Sequence, residues 1–106
     1  MGEGRILKMN SKIKDEATDQ LFEAILTLKN VEECYAFFED ICTVNELKAL
    51  AQRLEVAKML QEELTYQQIQ QLTHASTATI SRVNRCLSYG SDGYKLVLDR
   101  VGNHES

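Results

Sequence analysis

The chain has 106 residues, of which 43 % are hydrophobic and 26 % charged, with a net charge of −4 and no proline. This is one domain's worth of protein with enough apolar content to exclude wholesale disorder, and the lack of proline excludes collagen-like and Pro-rich linker readings. No apolar run approaches the roughly 18 residues of a membrane span, and the first residues lack a secretory signal, which places the protein in the cytoplasm.

Residues 1–15 carry two glycines and several lysines and read as a loosely ordered arm. Residues 16–106 read as a single all-α domain of about six helices. The first helix runs from Glu16 to Leu28, with Leu21, Ile25 and Leu28 at i, i+4, i+7. Asn30 is suited to a left-handed stop behind it. A second helix, Glu32 to Cys42, has an apolar side of Cys34, Phe37, Phe38 and Ile41. Thr43 and Glu46 then form a capping-box pair.

The longest helix is expected from about Val44 to Glu63, with Leu47, Leu50, Leu54, Ala57 and Leu60 or Leu64 as its buried stripe. Thr65 and Gln68 make a second capping box, opening a short helix anchored by Ile69 and Leu72. Thr73-His74-Ala75 reads as a tight break and Ser76 as the next N-cap. The helix behind it, Thr77 to Tyr89, turns Ile80, Val83 and Leu87 inward, and Gly90 is its stop. Ser91-Asp92-Gly93 caps a last helix with Leu96, Val97 and Val101 apolar. No segment alternates as a strand would.

Three cysteines, Cys34, Cys42 and Cys86, form no CxxC pair and read as buried free thiols. With His74 and His104 far apart, no metal constellation forms. There is no phosphate loop, nucleophile elbow or carboxylate pair, so the chain reads as no enzyme, with no catalytic residue.

The informative segment is short helix, turn, helix, the layout of a helix-turn-helix over about 65–88. The start of its second helix carries Ser76, Thr77, Ala78, Thr79 and Ser81, small enough for close approach to base edges. Their hydroxyls can meet bases or phosphates. Arg82 and Arg85 add positive charge, and Gln67, Gln68, Gln70 and Gln71 on the first helix are neutral donors that can reach the DNA backbone, Gln67 and Gln70 foremost. The acids are unevenly spread: thirteen of the sixteen lie at or before Glu63 and three at or after Asp92. Residues 64–91 contain none, so an acidic chain presents one acid-free segment to a polyanion. Helix-turn-helix hairpins also occur in domains that never touch DNA. A helical protein–protein interaction module without sequence-specific DNA binding is therefore the alternative.

The stretch from Cys42 to Arg53, CTVNELKALAQR, followed by ASTATISR from Ala75 to Arg82, resembles the tryptophan repressor family. The whole chain looks most like its YerC/YecD-type branch, with the resemblance covering about Glu16 to Val101. That resemblance implies an intertwined homodimer of six-helix chains. It would act as a transcriptional regulator, by family a repressor, reading a pseudo-palindromic operator in double-stranded DNA. It also implies an effector pocket at Thr43, Arg53, Arg82, Val83 and Cys86, where the family binds tryptophan as corepressor. Two positions depart from the family. Val83 stands where the family has a glycine and Cys86 where it has a serine, and a valine's methyls fill space that a flat indole needs. Both argue against tryptophan as the ligand. His74 stands where the family favours glycine, at a position suited to positive φ.

Overall fold

The computed structural model describes residues 11–105, and the side chains of 12–102. Most of the predicted arm, 1–10, lies outside the described residues, as does residue 106. A short 3-10 turn at Ser11–Ile13 precedes six α-helices: α1 Glu16–Ile25, α2 Val31–Ile41, α3 Val44–Gln61, α4 Tyr66–Thr73, α5 Thr77–Tyr89 and α6 Gly93–Glu105. No strand occurs among the described residues. The chain divides into two compact units, one ending at Ala49 and one beginning at Leu50, with the boundary inside α3.

In the N-terminal unit each helix start is sealed by a side chain. Asp15 accepts the Thr18 N–H at 2.7 Å and so caps α1. Asn30 accepts the Glu33 N–H at 2.8 Å, while Glu33 reaches back to accept the Lys29 N–H at 2.9 Å. The expectation at Asn30 is thereby corrected. Its backbone is extended and it starts α2 rather than ending α1. Helix α1 stops at Ile25, three residues before Leu28, because the chain must straighten to deliver that cap. Thr43 and Glu46 form their box as read, at 2.9 and 3.1 Å. Phe37 and Phe38 pack edge to face at 5.4 Å. Neither α1 nor α2 contains a buried residue, and Phe22, Leu26, Val31, Tyr35 and Ile41 are all exposed.

The C-terminal unit holds the core. Val56, Ala57, Ile69, Ala75, Ile80 and Val83 are buried, with Leu60, Leu64, Tyr66, Leu87, Tyr94 and Leu98 packed around them. Each fully buried Ile or Val contributes about 1.5–3 kcal/mol. The stripe on α3 differs from expectation in part: Ala57 is buried as expected, but Val56 is buried beside it, whereas Leu50 and Leu54 stay exposed. Periodicity gives the spacing of a buried face but not which of two adjacent apolar stripes meets the neighbours. Similarly Leu72 is exposed and Thr73 is buried in its place. On α6, Val97 and Val101 are exposed, while Tyr94 and Leu98 meet the core.

Two helix ends close in ways the sequence did not indicate. Helix α3 stops at Gln61, and Glu63 takes a left-handed φ of 67°. The Leu64 N–H then donates to the Met59 carbonyl and the Glu63 N–H to Leu60, both near 3 Å, the pairing of a Schellman motif without its usual glycine. Gly90, by contrast, is extended rather than left-handed. It is required for space, since a Cβ there would press into the Cys86 carbonyl oxygen. The cysteines also depart from expectation: Cys34 and Cys86 are exposed and Cys42 half-buried, all free.

Candidate nucleic-acid interface

The α4–turn–α5 segment is assembled by local bonds that its residue types dictate. The Thr65 N–H donates to Gln68 Oε1 at 2.8 Å, and the Gln68 N–H to Thr65 Oγ1 at 3.1 Å, closing the capping box of α4. Ile69 fastens the helix to the core. At its end His74 adopts φ 62°, ψ 15°, and its N–H donates to the Gln70 carbonyl at 2.8 Å. The buried Thr73 hydroxyl donates to the Ile69 carbonyl at 2.8 Å and accepts the Ala75 N–H at 3.1 Å. Ala75 is itself buried, so a small side chain is needed for the turn to close. Ser76 then accepts the Thr79 N–H at 3.1 Å and starts α5.

Helix α5 has two faces. Ile80 and Val83 anchor one in the core. The other carries Thr77, Ala78, Ser81, Arg82 and Arg85, all exposed, with Ser76 exposed at the cap. Gln67 and Gln70 are exposed on α4. Thr79 differs from the rest: it is half-buried and its hydroxyl accepts from the Ser76 hydroxyl at 3.1 Å. Beside the exposed face, Arg82, Arg85, Cys86 and Tyr89 border a shallow open depression. Gln71 on α4 is exposed too, and so is Asn84 on α5, which was not singled out from sequence because its position is marked by neither a cap nor a period.

The residues read as an effector pocket separate into groups. Arg53 on α3 is half-buried. It acts electrostatically, with Arg82 and Cys86, on the Tyr94 phenol. Burial is the main cause that raises that phenol above its ordinary 10.0, Cys86 adds to the rise, and the two arginines oppose it. Tyr94 was missed at the sequence level, although its i, i+4 spacing with Leu98 marks it as facing the core. Val83 is only 1 % exposed and belongs to the core. Thr43 lies in the N-terminal unit, where its hydroxyl caps α3. Among the described residues, no three His, Cys, Asp or Glu side chains cluster as metal ligands, and no helix is long and apolar enough to cross a membrane.

Comparison with known proteins agrees with this geometry. The family model described as Trp repressor protein matches residues 16–102. YerC of Bacillus subtilis strain 168, itself uncharacterized, is 59 % identical over 95 residues, covering 90 % of this chain and 91 % of that protein. The crystal structure of a TrpR-like protein from Eubacterium eligens ATCC 27750 superposes with a TM-score of 0.85 at 60 % identity, covering 88 % of this chain and 96 % of that one. A candidate Trp repressor from Staphylococcus aureus gives 0.84 at 56 % identity, covering 87 % and 92 %.

Proposed function

The chain belongs to the Trp repressor family, a family of regulators rather than enzymes, and on that premise we propose that it is a sequence-specific DNA-binding transcriptional repressor. It works as a cytoplasmic homodimer and reads a pseudo-palindromic operator through the helix-turn-helix at 65–88. The carrying observation is the exposed face of α5, where small hydroxyl-bearing and basic side chains project from a segment without a single acid. Thr77, Ala78 and Ser81 are suited to base edges, and Arg82 and Arg85 to phosphates. The N-terminus of α5 adds the positive end of its dipole.

Dimerisation is supported by the N-terminal unit, whose helices bury nothing by themselves. A second copy laid over Phe22, Leu26, Val31, Tyr35 and Ile41 would remove that apolar surface from water. Two recognition helices related by a two-fold axis then read half-sites about 34 Å apart. A small anionic effector, in this reading, meets Arg53, Arg82 and Cys86 around Tyr94. Tryptophan is disfavoured, since Val83 stands beside Arg82 where the family keeps room for the indole.

The test is selection from random duplex DNA at near-physiological salt, with solution mass measured in parallel. Enrichment of a two-fold symmetric site by a dimer is expected. Absence of enrichment, with and without a panel of amino acids and small anions, would favour a protein-binding module instead, a reading motivated by the net charge of −4. A thermal-shift screen of the same panel tests the effector, because a ligand of the folded state raises the melting temperature.

A further inference from the structure

We propose that Gln52 is a positioning residue of the reading head, acting through the Thr73 carbonyl to set the direction in which α5 leaves the turn. The inference rests on the DNA-reading function proposed above.

Gln52 lies on α3, half-buried, and its side-chain amide Nε2 donates to the Thr73 carbonyl oxygen at 3.1 Å. Thr73 is the last residue of α4, and the closing carbonyls of a helix have no intrahelical donor. Gln52 supplies one from another helix. The peptide plane between Thr73 and His74 is thereby held at both ends. Its carbonyl accepts from Gln52, and its N–H donates to Gln70. The next peptide is held as well, because the Ala75 N–H donates to the Thr73 hydroxyl. Ser76, the N-cap of α5, follows at once.

Two kinds of force therefore place α5. Ile80 and Val83 hold it against the core, but hydrophobic attraction has no direction and tolerates small rotations. The chain of bonds from Gln52 through Thr73 to Ala75 is directional, and hydrogen bonds weaken steeply with misalignment. Base readout depends on the same directional geometry at the far end of the lever, at Thr77, Ala78 and Ser81. Phosphate contacts from flexible arginines depend on it much less. Losing Gln52 should therefore cost discrimination between sequences rather than affinity for DNA in general.

The test compares Gln52→Met, which keeps the length of the stem and lacks a donor, with Gln52→Lys, which keeps a donor. The readout is the ratio of affinity for the selected site to affinity for random duplex, which cancels the added charge of the lysine. For Gln52→Met the ratio should fall about tenfold with random-duplex binding within about twofold of wild type. Gln52→Lys should bring the ratio back to within about threefold of wild type. Amide chemical shifts of Thr73 to Ala78 should move in the first variant and return in the second. An unchanged ratio in Gln52→Met overturns the positioning role alone, and so does a loss that Gln52→Lys fails to restore. Should Gln52→Met not fold, Gln52→Glu replaces it, since an ionised carboxylate only accepts. If wild type itself selects no site, the proposed function fails, and this inference fails with it.

Discussion

Gln52 on α3 and Thr73 at the end of α4 are joined by an amide-to-carbonyl hydrogen bond of 3.1 Å across 21 positions of sequence. The other side-chain hydrogen bonds described above are local caps and turns, spanning five residues or fewer. Local bonds shape each helix end. The Gln52–Thr73 bond instead ties the long helix to the break between the two helices of the hairpin.

Thr73 is the polar centre of that break, and its hydroxyl is the easiest part to remove. Thr73→Val keeps the shape but leaves the buried Ala75 N–H without its acceptor. A stability loss of about 1–3 kcal/mol is expected. Urea denaturation should show a lower midpoint with an unchanged slope. An unshifted midpoint would mean that water or a backbone group replaces the hydroxyl.

Two helix ends should respond to glycine in opposite directions. Glu63 holds a φ of 67°, where a side chain is strained and glycine is not. Glu63→Gly should stabilise the chain by up to about 1 kcal/mol. Gly90→Ala should destabilise it by about 1–3 kcal/mol, because the added methyl meets the Cys86 carbonyl, and backbone yields less readily than a side chain. Thermal melts of the two variants should bracket that of wild type.

Acid should loosen the start of α1 through Asp15. Its carboxyl is held below the ordinary 3.8 chiefly by hydrogen bonding to the Thr18 side chain, then by the Thr18 N–H, with Lys14 assisting. A folded-state value below the unfolded one means that the contribution is complete above about pH 4 and disappears as pH falls through the lowered folded value. Asp15→Asn caps as well and does not titrate. Helicity of α1, followed by NMR, should show an acid-dependent step in wild type that is missing from the variant. The same step in both would place its origin elsewhere.

At the proposed interface, Arg85 and Ser81 should separate affinity from choice. Arg85→Ala should weaken binding to all duplexes alike and flatten the salt dependence by about one unit, the mark of one lost phosphate contact. Ser81→Ala should alter which base is preferred and leave the salt slope alone. A titration series from low to high salt on selected and scrambled duplexes reads both. An unchanged slope for Arg85→Ala would remove that residue from the contacts.

Much of this protein was legible from its sequence because the signals are local. Thr65 with Gln68, Thr43 with Glu46, and Ser76 each fix a helix start through bonds to residues three positions on, and those bonds need nothing else from the fold. The short helix, tight break and capped helix that mark the helix-turn-helix are sequence properties as well, and so are the acid-free segment and the order of small and basic residues on α5. The runs around Arg53 and Arg82 suffice for the family. Tertiary structure decided what depends on partners distant in the chain. Whether Leu54 or Val56 lies inwards is set by which side of α3 the hairpin covers, and both stripes are apolar. Asn30 can stop one helix or start the next, and the extended backbone chose the second. Gly90 is needed because a carbonyl lies against it, not because of its φ. Gln52 is an ordinary polar residue of a long helix until Thr73 is folded beside it. Caps and periods act within one turn of chain, whereas the choice of buried face and the pairing of Gln52 with Thr73 exist only when separate helices meet.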